Sequence, residues 1–108
     1  MRSRTFDTQG IETAAAEVAG VLRAIANERR LMILCKLVEW GEGNVSALAE
    51  TIGLSQSALS QHLAKMRDEG LVTYRRDSQT LWYRIADRPI EDLLATLHKL
   101  YCQPNKRR

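Results

Sequence analysis

The chain has 108 residues, 44% of them hydrophobic, with six glycines, two prolines and a formal charge of +3. These values exclude a disordered chain and a multidomain one, and leave a single globular domain whose mild positive charge leans towards an anionic partner. No apolar run approaches the roughly 20 residues that cross a bilayer, so no membrane partner is expected.

The opening Met1-Arg2-Ser3-Arg4-Thr5-Phe6-Asp7 leads into alanines interrupted by Glu12 and Glu17, unlike a secretory signal. Residues 1–10 are expected to form a disordered tail, and the expected compartment is the cytoplasm. From Ile11 to Ile25, apolar residues recur at helical spacing: Ile11, Ala14, Ala15, Val18, Val21, Leu22 and Ile25. Asn27 is a suitable cap for a second helix from Glu28 to about Trp40. Its centre, Leu31-Met32-Ile33-Leu34-Cys35, is apolar nearly all round and predicts a central, buried helix. Gly41 and Gly43 end it. Asn44 then caps a short helix, Val45 to Ile52, which Gly53 terminates. Ser55 starts the next helix and Gly70 stops it, so Gly53-Leu54-Ser55 is the tight joint of a helix-turn-helix.

After Gly70 the hydrophobic period falls to two. Leu71 to Arg76 and Leu81 to Ala86 read as strands, with Asp77-Ser78-Gln79-Thr80 as the hairpin tip. A last helix begins near Arg88-Pro89 and carries Ile90, Leu93, Leu94, Leu97, Leu100 and Tyr101 as its apolar stripe. The order α-α-α-α-β-β-α is that of a winged helix-turn-helix, mainly α with a β-hairpin. The domain is expected to span residues 11–103, followed by a basic tail at 104–108.

Readout of a DNA major groove needs a helix with short hydrogen-bonding side chains and no repulsive carboxylate. Between Glu50 and Asp68 there is no acid at all. Leu59, Leu63 and Met66 form the inward stripe of the fourth helix, leaving Gln56, Ser57, Ser60, Gln61, Ala64 and Lys65 outward. Gln pairs bidentately with adenine, Ser serves bases or phosphates, and His62 and Lys65 are within reach of the backbone. Arg75, Arg76 and Arg84 on the wing add phosphate contacts. A Ser/Gln-rich face alone is as well read as a solvated surface. Next to a helix-turn-helix joint and a basic hairpin, it reads as a binding face for double-stranded DNA. For His62, packing explains the residue as well as contact does.

The apolar faces of the first and last helices either complete the monomer core or form a two-fold interface. A homodimer would set two recognition helices roughly 34–36 Å apart, matching an inverted-repeat operator. An enzyme is not expected: there is no Gly-rich phosphate loop, no His-Glu-x-x-His pattern and no recognisable pair of nucleophile and base.

The two cysteines, Cys35 and Cys102, are too few for a disulfide-stapled secreted domain. They are either packing residues or a redox couple. Burial of Cys35 is expected to raise its thiol pKa and blunt its reactivity. Cys102 lies at the end of the last helix before Pro104, with His98 one turn earlier; a protonated His98 would favour the thiolate and the helix dipole would oppose it.

The run Leu22-Arg23-Ala24-Ile25-Ala26-Asn27-Glu28-Arg29-Arg30-Leu31-Met32-Ile33-Leu34-Cys35 resembles the second-helix signature of ArsR-type repressors. Leu54-Ser55-Gln56-Ser57-Ala58-Leu59-Ser60-Gln61-His62-Leu63 resembles their recognition helix, and Met66-Arg67-Asp68-Glu69-Gly70-Leu71-Val72 their junction into the wing. The likeness covers residues 11–103 and is strongest to the HlyU, SqrR and BigR branch. That resemblance implies a dimeric repressor sensing reactive sulfur species through two cysteines, at positions that Cys35 and Cys102 match. A disulfide or polysulfide bridge between them would release the operator. The family's metal sensors are the alternative. Many carry a Cys-x-Cys pair where this chain has Val45-Ser46-Ala47-Leu48-Ala49-Glu50, while others use a last-helix Asp/His cluster. Asp87, Asp92 and His98 do not make a complete shell, and neither a metal nor another cofactor is expected.

Overall fold

The computed structural model describes residues 8–102. Five helices and one hairpin follow in the order α1 (Thr8–Ile25), α2 (Glu28–Trp40), α3 (Val45–Ile52), α4 (Gln56–Asp68), β1 (Val72–Asp77), β2 (Thr80–Ile85) and α5 (Arg88–Tyr101). This is the winged-helix arrangement that the sequence predicts.

Capping chemistry sets the helix starts. The side-chain oxygens of Asn27, Asn44, Ser55 and Asp87 accept from the backbone N–H groups of Arg30, Ala47, Ala58 and Ile90. Each satisfies one of the amides that a helix start leaves without a partner. At the helix-turn-helix joint Gly53 has φ +86°, a left-handed conformation that a side chain would strain. Its N–H and that of Leu54 both return to the Ala49 carbonyl, so the chain reverses within three residues into α4.

α2 is the centre of the molecule, packed against α1, α3, α5 and β2. Its Ile33, Leu34 and Leu37 join Leu48 of α3, Leu59, Leu63 and Met66 of α4, the Leu71-Val72 junction and Leu94 of α5 in one fully enclosed core. Each such side chain contributes about 1.5–3 kcal/mol through loss of apolar contact with water. Arg30 adds a polar clasp: its Nη1 donates to the Ala24 carbonyl (2.8 Å) and to Glu69 Oε1 (2.7 Å), tying the ends of α1 and α4 to the start of α2.

β1 and β2 pair antiparallel from Val72 opposite Ile85 to Asp77 opposite Thr80. A second, single-residue pairing joins Gly43 to Tyr83, with N–H···O bonds of 2.9 Å in both directions. A Cβ at Gly43 would stand 3.1–3.3 Å from Trp40, Leu48 and Leu37, so the close approach of this strand suits glycine.

Three details differ from expectation. α1 begins at Thr8 and not Ile11, so residues 8–10 are helical; the rest of both expected tails, 1–7 and 104–108, lies outside the described residues. The hairpin tip is only Ser78-Gln79, because Asp77 and Thr80 still pair and Ser78 turns the chain at φ +58°. And α2 is not enclosed on all sides. Met32 is 48% exposed and Cys35 is half-buried, because no described element covers that flank completely.

Candidate DNA interface and thiol site

The outward face of α4 is assembled as its periodicity requires. Leu59, Leu63 and Met66 point into the core, and Gln56, Ser57, Ser60, Gln61 and Lys65 are exposed on the other side. His62 is half-buried at the margin of that face. The structure therefore brings the five polar residues together and sets His62 aside from them.

The wing arginines divide. Directly opposed residues of an antiparallel pair share a sheet face. Arg75 thus lies with Trp82, and Arg84 with Thr73, on one face, while Arg76 lies on the other with Leu81, Tyr74 and Tyr83. The Tyr74 and Tyr83 rings pack 5.3 Å apart at 58°. Arg67 of α4 secures that face: its Nη1 donates to the Tyr74 hydroxyl (3.1 Å) and its guanidinium stands 5.1 Å from the ring centre. Arg67 and Tyr74 hold the wing against α4, a pairing that the sequence does not indicate.

Nor does the sequence single out Glu42, in the turn between α2 and α3. Arg75 grips it with two bonds of 2.9 Å, Nε to Oε2 and Nη2 to Oε1. Hydrogen bonding from Arg75 holds the Glu42 carboxyl below the usual carboxylate range, and the charges of Arg75 and Arg84 act in the same direction. In the free protein Arg75 is therefore already bound to a carboxylate with the forked geometry it would offer a phosphate. Glu42→Gln is expected to tighten binding to duplex DNA a few-fold and to steepen the dependence of log affinity on log salt by about one phosphate's worth, a slope change of roughly 0.9. Fluorescence anisotropy titrations at a series of salt concentrations measure both. An unchanged slope would mean that Arg75 does not exchange Glu42 for a phosphate.

On the opposite flank, α2, the end of α3 and α5 border a half-open cavity of about 640 Å³. Met32, Val38, Ile52 and Leu94 supply its apolar wall, and Cys35, Cys102 and His98 also line it. Both cysteines are free thiols. Cys35 projects from the middle of α2. Burial pushes its pKa above the ordinary thiol value, and proximity to Cys102 pushes it further in the same direction. Cys102 caps α5 with its N–H bonded to the His98 carbonyl (2.8 Å), and is exposed. The fold thus unites two thiols separated by most of the sequence: one accessible, the other half-buried and held more firmly as the neutral thiol at pH 7. Among the described residues no group of three or more His, Cys, Asp or Glu side chains is placed to hold a metal ion. Among the same residues, no helix is long and apolar enough to cross a membrane.

A helix-turn-helix with an acid-free polar second helix, followed by a basic β-wing, defines a winged-helix DNA-binding regulator of transcription. Residues 27–74 match the family model described as "Bacterial regulatory protein, arsR family". The chain is 42% identical to the transcriptional activator HlyU of Vibrio cholerae, over 98% of this chain and 97% of that one. It belongs to the arsR family of bacterial regulators. Among solved structures, the reduced form of HlyU from Vibrio cholerae superposes with a TM-score of 0.80 at 45% identity, covering 88% of this chain and 99% of that one. The transcriptional repressor BigR of Xylella fastidiosa does so with a TM-score of 0.82 at 35% identity, covering 91% and 99%.

Proposed function

We propose that the protein is a cytoplasmic, homodimeric repressor that senses reactive sulfur species through the Cys35–Cys102 dithiol and releases its operator when the two are bridged. The observation that carries this reading is the convergence of both free thiols on one cavity between α2 and α5. Their unequal exposure suggests an order of events. The Cys102 thiolate attacks the outer sulfur of a hydropersulfide, R–S–SH; a Cys–S–SH forms and the thiol R–SH leaves with the proton. If Cys35 attacks the inner sulfur of that persulfide, a disulfide forms and hydrogen sulfide departs. If Cys35 is first persulfidated by a second donor, the Cys102 persulfide displaces hydrogen sulfide from it and a trisulfide results. The donor is the oxidant in every case, and no metal or other cofactor is required.

Two-fold association is supported by apolar side chains that the monomer leaves in water: Ile11, Val18 and Leu22 on α1, and Leu100 (68% exposed) and Tyr101 (76%) on α5. A bridge between α2 and α5 would couple the recognition unit to that interface, so that bridging changes the spacing of the two recognition helices. Gln56, Ser57, Ser60, Gln61 and Lys65 would read the operator, with Arg76, Arg84 and the released Arg75 on phosphates and His62 at the margin.

Intact-mass spectrometry of the reduced protein, treated with a hydropersulfide and then with an alkylating agent, tests the reading. The expected product has both cysteines protected from alkylation, has lost two hydrogens, and in the trisulfide case has gained one sulfur. It should bind operator DNA at least roughly fivefold more weakly, the lower end of an allosteric coupling of about 1–3 kcal/mol. Cys35→Ser and Cys102→Ser should each prevent the bridge. Two freely alkylatable thiols after treatment, or a bridged protein with unchanged DNA affinity, would overturn it.

A further inference from the structure

The cavity at the thiols also has a chemical character of its own. Its wall is built from Met32, Val38, Ile52 and Leu94. The two charged residues among the described ones that line it, Lys36 and Glu39, neutralise each other through a 2.8 Å ion pair, and the Lys36 ammonium also stands 5.7 Å from the centre of the Trp40 ring. A donor carrying carboxylates would lose hydration on entering and find that cation already engaged. A donor with an apolar body would exchange water for the aliphatic wall and gain by it.

Resting on the dithiol reading above, we propose that this cavity receives the organic group of an apolar alkyl or aryl hydropersulfide, and so favours such donors over peptide-like, multiply charged ones. A volume of about 640 Å³ accommodates a small-molecule body of that kind. With the body seated against Leu94 and Ile52, its terminal sulfur lies beside the wall that carries the thiols. A cysteine thiolate attacks that sulfur, the new S–S bond forms on the protein, and the organic thiol leaves the cavity with the proton. Because Cys35 is half-buried, its own persulfidation requires the donor to enter, whereas exposed Cys102 can be reached from outside. Discrimination therefore falls on the trisulfide route more than on the first transfer.

The experiment follows formation of the trisulfide, read as a bridge with one added sulfur, in the full-length protein by quenched alkylation and intact mass, with three donors: benzyl hydropersulfide, glutathione hydropersulfide and inorganic polysulfide; a bridge formed only as the disulfide would overturn the proposal. Each rate is normalised to that donor's rate with free cysteine. The benzyl donor is expected to bridge the wild-type protein roughly tenfold faster than the glutathione donor, the scale of discrimination that a modest apolar pocket supplies. Ala95 also lines the cavity and is exposed, so Ala95→Phe narrows it with both thiols in place. That variant should lose the benzyl preference and retain its rate with inorganic polysulfide. Met32→Lys, which adds a cation to the exposed edge of the wall, should instead speed the glutathione donor. Equal normalised rates for the two organic donors, or an equal loss with all three donors in Ala95→Phe, would overturn the proposal while leaving the dithiol sensor standing. If no donor bridges the thiols, polysulfide included, the sensor reading and this one fall together.

Discussion

Ser60→Glu is expected to abolish DNA binding, by at least roughly a hundredfold, without unfolding the protein. Ser60 is exposed at the centre of the α4 face. A carboxylate there meets base acceptors and flanking phosphates, and like charge at an interface costs several kcal/mol. The folded monomer should tolerate it, since glutamate is a good helix former and the position touches no core residue. Anisotropy against a duplex selected from a random pool by the wild-type protein measures the first effect, and a thermal melt checks the second. Ser60→Ala serves as the comparison; it removes a hydrogen-bonding group without adding charge and should cost about tenfold or less. If Ser60→Glu binds as the wild type does, the exposed face of α4 is not the reading surface, whatever the family.

Leu63→Ala makes the opposite kind of change, one turn further along the same helix. Leu63 is wholly excluded from solvent, packed in the cluster shared by α2, α3, α4 and α5. Truncation removes three carbons from the centre of that cluster and leaves a void, at a cost of about 3 kcal/mol within the usual 2–5. In a chain of this size that lowers the melting temperature by roughly 10–20 °C. Calorimetry or circular dichroism reads the shift. DNA affinity measured well below the transition should change little, because the outward face is intact. A shift of only a few degrees would mean that the neighbouring side chains collapse into the space.

The same helix shows why part of the molecule is legible from its sequence. Local signals are decisive where one residue settles a backbone problem: Asn27, Asn44 and Ser55 at helix starts, Gly53 at the joint, the switch from period 3.6 to period 2 after Gly70. These fix the element order, and the inward stripe of α4 follows from spacing alone. Where apolar residues run consecutively, as from Leu31 to Cys35, spacing does not say which flank is open. The partial exposure of Met32 and Cys35 depends on where α3 and α5 stop short of α2. Asp7 and Thr8 are residue types that suit a helix start, but Gly10 is a poor helix former and the apolar spacing begins only at Ile11, so the first turn of α1 is not legible from periodicity. The Glu42–Arg75 pair joins residues 33 positions apart, and neither side chain announces the other. The separation of Arg75 and Arg84 from Arg76 follows from the strand register, Arg76 opposite Leu81, which the expected strand limits already imply; only the strand ends differ, each by one residue. The two cysteines were legible as candidates through family likeness; the apolar wall around them was not, since it draws Met32 and Val38 from α2, Ile52 from α3 and Leu94 from α5.

The single-residue strand at Gly43 gives the molecule a mechanical property. α2 is a 13-residue rod, about 20 Å long, with Cys35 near its midpoint. Just past its end, Gly43 is bonded in both directions to Tyr83 of β2. The wing is consequently tethered to the tip of the rod that bears the thiol, as well as resting on α4 through Arg67 and Tyr74. A tilt of α2 about its middle would reach the hairpin through this bond pair as well as through the core that α2 shares with α3 and α4. The wing and the thiol-bearing helix thus share a mechanical link that does not pass through α4.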